Sequence, residues 1–279
     1  GDSGIGSDGM VYVDQTVGAT LTARGTGDIN ITERAGDMNI NTVYSAGGDV
    51  TLVADGSILD HNNTEFVNIE ADSITLTAQT GSIGVVGNAL DVEARGDLGD
   101  DLGLLTLTAE GDVIVYEQEG DMNIRNVLSR SGDVELYAQL SIFDAVDLVD
   151  PTSPETSADG NDTGSRLAAD VLAAGNITLT ADLGYIGAFG NELDIDSRRS
   201  GSDGVVTVTS RENTFLIEQA GDMWLNTVEV TQSNPLLATA YLTAVVGSIY
   251  NGVQPPNTSN VLGGRAYLIA QGDIGTSDN

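Results

Sequence analysis

Carboxylates four residues apart recur three times in this chain: Glu33 with Asp37, Glu117 with Asp121, and Glu218 with Asp222. Each pair lies in one eleven-residue motif, read as ERAGDMNINTV, EQEGDMNIRNV and EQAGDMWLNTV. Paired carboxylates do acid–base work when a cleft gives the two members different environments. Three equivalent pairs argue for a repeated corner instead. On that reading Gly36, Gly120 and Gly221 turn the chain, Asp37, Asp121 and Asp222 bond the backbone of the turn, and Met38, Met122 and Met223 fill the interior just past it. A cation held by the carboxylates is the second reading.

Other residues that could carry chemistry are few. The stretch ADGNDTG places Asp159, Asn161 and Asp162 close together with glycines for a tight turn. Oxygen ligands of this kind suit Ca²⁺, but the EF-hand spacing and its distal glutamate are missing. The loop therefore reads first as a solvated turn and second as a weak Ca²⁺ site; no other cofactor is expected. Arg95-Gly96-Asp97 spells a cell-adhesion tripeptide, yet Gly-Asp is the repeat's own corner, and arginine before it needs no special cause. His61 is the only histidine and there is no cysteine, so neither a His/Cys metal set nor a Ser–His nucleophile is expected. Its polar surroundings predict exposure. Sequons at Asn30, Asn62, Asn161, Asn176 and Asn257 read as chance, with Asn30 and Asn176 expected inside strands.

The 279 residues carry 42 acidic and 10 basic side chains, a net charge of −32, and every basic residue is arginine. Such a surface repels phosphate backbones and anionic lipid, which excludes nucleic acid and membrane surfaces as partners. Absence of lysine removes Schiff-base chemistry and phosphate loops. No apolar stretch is long enough to span a membrane as a helix. Lack of cysteine excludes disulfides and agrees with an extracellular or cell-surface location.

Something must position the three motifs, and internal repetition supplies it. The motif glycines stand at 36, 120 and 221, and similarity extends to either side: ADSITLTAQTGSIGVVGNALDVEA (71–94) matches AAGNITLTADLGYIGAFGNELDIDS (173–197). Each long unit is built from a shorter theme: glycine, a small polar residue, then alternation such as ITLT or VTLV. Period-two alternation of β-branched residues is a strand with one buried face. Glycine is expected to take a positive φ at each such corner. The long repeats run roughly 7–99, 100–201 and 202–279, within one continuous unit spanning 1–279. Insertions at 60–66, 147–164 and 251–260 leave from one edge, as a solenoid tolerates. The segment 164–175 reads as one helical turn or a further strand.

This GDVTLTA…GSI texture resembles filamentous-haemagglutinin-like β-helical regions, especially the repeat regions of very large bacterial "β-strand repeat" surface proteins. The resemblance implies a right-handed parallel β-helix, secretion, and an adhesive or fibrous role. The fold expectation is accordingly an all-β, right-handed parallel β-helix of about three long repeats, a rod of roughly 45–65 Å at about 4.8 Å per turn. Tandem antiparallel β-sandwich modules are the alternative. The functional expectation is a non-enzymatic structural segment of a large secreted adhesin or fibre. Partners would be neighbouring repeats or identical subunits end to end, or a host or surface glycan or protein. A self-assembling filament subunit is the second reading and a β-helical polysaccharide lyase or hydrolase the third.

Overall fold

Alternating sequences such as Ile74–Ala78 can bury only every second side chain, and the chain satisfies this by winding. In the computed structural model, which describes residues 4–6, 9–62, 64, 66–96, 102–145, 169–199, 202–234, 236–252 and 259–275, parallel strands stack into a β-solenoid of about nine turns. Two twelve-stranded parallel sheets, here called A and B, face each other across a core of Ile, Leu, Val, Ala and Met. Among the described residues no helix occurs. Parallel pairing throughout both sheets rules out antiparallel sandwich modules. Val171–Ala173, inside the ambiguous segment, is a strand.

Outside the long insertion, partners on adjacent turns lie between 19 (Leu105↔Ile124) and 33 (Val228↔Val261) residues apart in sequence. The interval stretches to 43–44 where the winding crosses the long insertion, as at Val127↔Val171 and Val134↔Ile177. The strand after each motif corner is eight residues long: Met38–Ser45, Met122–Ser129 and Met223–Val230. Each pairs with two shorter strands on the next turn, and the chain leaves the sheet between those two. Ile58–Asp60 and Ile69–Ala71 flank the first exit, Ile142–Asp144 and Val171–Ala173 the second, Ile249–Asn251 and Val261–Leu262 the third.

One consequence of the winding was not legible in the motif spacing. From Met38–Ser45 in sheet B the path visits Val50–Ala54, Ile69–Ala71, Ile74–Ala78, Leu90–Ala94, Leu104–Ala109 and Val113–Glu117, and reaches Met122–Ser129 in sheet A. That is an odd number of sheet changes, and the same number leads on to Met223–Val230, again in sheet B. A long repeat is therefore three and a half turns. The second motif lies on the opposite side of the solenoid from the first and third.

Candidate functional site

The motif corners are the most chemically loaded part of the molecule. Gly36, Gly120 and Gly221 have φ of +89°, +106° and +93°, and Met38, Met122 and Met223 are fully buried. Each aspartate accepts a backbone N–H from the following turn: Asp37 Oδ1 from Ser57 at 2.8 Å, Asp121 Oδ1 from Ser141 at 3.0 Å, and Asp222 Oδ1 from Ser248 at 2.7 Å. The bonds cross between turns instead of closing the aspartate's own turn.

These contacts belong to longer ladders. Where sheet B begins, Ser57 Oγ accepts from Ser82 N–H, Ser82 Oγ from Asp112 N–H, Asp112 Oδ1 from Asp133 N–H, Asp133 Oδ1 from Asn176 N–H, and Asn176 Oδ1 from Val205 N–H, at 2.7–3.1 Å. Where sheet A begins, Asp28, Asp49 and Ser73 do the same for Asp49, Ser73 and Leu104. Asn176 thus stands at a corner just before a strand, not inside it as the sequence suggested.

The ladders also correct the role of most corner glycines. Gly48, Gly111, Gly132 and Gly175 are not among the positive-φ glycines. A Cβ on Gly132 would collide with Asp112 Oδ1, and one on Gly175 with Asp133 Oδ1. Glycine is needed there because the neighbouring turn's ladder approaches too closely for a side chain.

The glutamate of each motif ends a strand and points inward, and all three are buried. Glu33 Oε2 accepts Gln15 N–H at 2.9 Å, and its Oε1 accepts Ala35 N–H at 3.3 Å. Glu117 accepts Ala94 N–H at 3.2 Å, which sets its carboxyl beside Glu93. Glu218 Oε2 accepts Ser197 Oγ–H at 2.9 Å and Ser197 N–H at 3.4 Å, and its buried Oε1 has no hydrogen-bond partner. Burial first, and then the carboxylate of Glu93, hold Glu117 well above the usual carboxylate range. Burial and then Asp196 do the same to Glu218. Burial pushes Glu93 up to about 7.

A second polar column runs beside these acids. Asn68 donates to Asp60 Oδ1 at 2.6 Å, Asn68 Oδ1 accepts Asp91 N–H at 2.9 Å, and Gln118 donates to Asp91 at 2.7 Å. In the second repeat Asp144, Asp170, Asp194 and Gln219 take these places, with Asp194 N–H on Asp170 at 3.3 Å and Gln219 on Asp194 at 2.6 Å. Asn251 and Asn260 begin the column again in the third, 2.9 Å apart. Sequence reading missed this column because its members are scattered over about 60 residues and only the winding brings them together.

The remaining expectations have definite places. Exposed His61 lines a cleft of about 350 Å³ with Gln15, Thr16, Asp37 and Asn39. Arg95 is bound into the outer surface: it pairs with Glu70 at 2.5 Å, donates to Ser45 O at 2.9 Å and lies over the Tyr44 ring. Asp97 and the Ca²⁺ candidates Asp159, Asn161 and Asp162 lie outside the described residues, as do the insertion 147–164 and most of 251–260. Among the described residues no group of three or more His, Cys, Asp or Glu side chains is arranged to hold a metal ion. Comparison with protein-family models, with curated proteins and with solved structures found no match.

Proposed function

We propose that this chain is a non-enzymatic structural segment of a large secreted surface adhesin or extracellular fibre. The observation carrying this reading is where the repeat's polar chemistry goes. Asp37, Asp121, Asp222 and the residues above them place their side-chain oxygens on backbone N–H groups of the next turn. Carboxylates committed to joining turns serve length and stiffness, and the acidic surface keeps such a rod apart from its neighbours in solution. Adhesion to a surface glycan or protein is the role that goes with it.

Pulling the chain end to end tests this. Stepwise lengthening in increments of about one turn is expected from a tension-carrying solenoid. Sustained turnover of a polysaccharide in a substrate screen would overturn the reading in favour of the lyase or hydrolase alternative. A specific observation favours the filament reading as second choice. Among the described residues the strand Arg265–Ala270 is the outermost of sheet A on one side, with Tyr267 and Ile269 exposed. Concentration-dependent polymers seen by sedimentation and electron microscopy would select it.

A further inference from the structure

The place where the strands Leu90–Ala94 and Val113–Glu117 meet holds more acid than the fold requires. Val92 pairs with Glu117 across the two turns, and the Glu117 carboxyl takes the Ala94 N–H, which sets it beside Glu93. Glu117 is fully buried and Glu93 is 9% exposed. The charge of Glu93 bears on Glu117, and two ionised carboxylates, both acceptors only, cannot satisfy each other. Glu93 accepts the Glu119 N–H, while its Oε2 is buried without a hydrogen-bond partner.

The charges facing the pair deepen the requirement. Glu70 lies beside Glu93 on the preceding turn, and Glu119 and Asp121 approach from the motif corner. Arg95 is the only cation acting on Glu93 among the described residues, and it is already paired with Glu70. Two dry carboxylates in this surrounding cannot both stay ionised.

We propose that one proton held between Glu93 and Glu117 locks these two turns together, and that its loss as pH rises loosens the joint. The direction follows from linkage. An acid whose folded pKa lies above its unfolded value contributes stability in full below the unfolded value and loses it as pH rises through the folded one. For Glu93 that window runs from about 4.5 to about 7, and Glu117 extends it upward. The solenoid would be tightest here in acidic surroundings and would gain a flexible joint as they become neutral to alkaline. Nothing in this depends on the adhesive role.

Amide exchange on the full chain tests it. Protection at Ala94, whose N–H is held by Glu117, is followed from pH 5.5 to 9 after correction for intrinsic exchange. The strand Val50–Ala54 serves as reference. In the wild type, Ala94 should lose at least tenfold more protection than the reference. In Glu93→Gln, whose amide can donate to an ionised Glu117, that excess should vanish. Equal pH dependence at Ala94 and the reference, or an excess unchanged in Glu93→Gln, would overturn the proposal. Should Glu93→Gln fail to fold, the infrared band of protonated carboxyls decides instead. A component titrating near pH 7 that persists in Glu218→Gln is expected, and its absence from that variant, with all carboxyls titrating below about pH 5, overturns the proposal.

Discussion

The corners at Glu33 and at Glu117 are written with one motif, yet they solve the same burial problem differently. At both, a buried glutamate ends a strand and takes an N–H from the preceding turn. At the first, the residue after its partner Val13 is Asp14, which is exposed, and Glu33's other oxygen takes Ala35 N–H. At the second, the residue after Val92 is Glu93, which is buried and whose charge raises Glu117 further. The corner fixes the position of one acceptor. What the previous turn presents decides whether a proton must be held there too.

If the corners are equivalent as packing sites, emptying them should cost alike. Met38→Ala, Met122→Ala and Met223→Ala each remove a fully buried side chain and should cost about 2–5 kcal/mol. In a solenoid this is read as lost exchange protection over the turns on either side. A spread wider than about 2 kcal/mol among the three would break the equivalence, since identical truncations would then meet unequal surroundings.

The two kinds of corner glycine should separate next. Gly120→Ala places a side chain at positive φ with nothing nearby, a cost of about 1 kcal/mol. Gly132→Ala drives a methyl into Asp112 and the Gly111 backbone and should cost about 2 kcal/mol or more. Urea midpoints order the pair, and a costlier Gly120→Ala would show that φ, not room, governs both.

The third corner sharpens the electrostatic difference. Glu218 is fully buried beside Asp196, and its folded pKa lies well above 4.5. Its contribution is therefore complete below that value and is lost as pH rises through the raised one. Glu218→Gln supplies a neutral amide able to donate to Asp196, much as Gln219 donates to Asp194. Urea unfolding should find the variant more stable than wild type at pH 8, with the gain gone at pH 4. A gain equal at both pH values would mean the proton is not the variable.

Much of the architecture could be read from residue order. Alternation in ITLT and VTLV gave the inward and outward faces, and the recurring Gly-polar pair gave the turns, because both are local properties of a strand and its corner. The half-turn offset could not be read so. It depends on how many sheet changes separate Met38 from Met122, and short strands such as Ile69–Ala71 carry no distinctive pattern. The acid pairs were hidden for a related reason: Glu93 and Glu117 are a full turn apart in sequence, and only the register Val92↔Glu117 makes them neighbours. Glycine was half legible, since the residue marks a corner whether positive φ or a close neighbour demands it.

The smallest effect tests the feature the corners share. Asp37→Ala and Asp121→Ala each remove an acceptor from one N–H at the turn above, Ser57 in the first case and Ser141 in the second. A partly exposed, charge-assisted bond of this kind contributes about 1 kcal/mol, roughly a fivefold change in local exchange. The ladders above them differ in length. Above Asp37 it continues through Ser82, Asp112, Asp133 and Asn176 to Val205, whereas Asp121's passes through Ser141 and reaches the Tyr185 N–H. Independent bonds would confine the Asp37→Ala effect to Ser57 and leave Ser82 unchanged. Bonds that polarise one another would carry it to Ser82 and Asp112 with falling size. Exchange at Ser82 in that variant therefore separates a row of single ties from a cooperative seam, and Ser141 and Tyr185 in Asp121→Ala supply the short-ladder control.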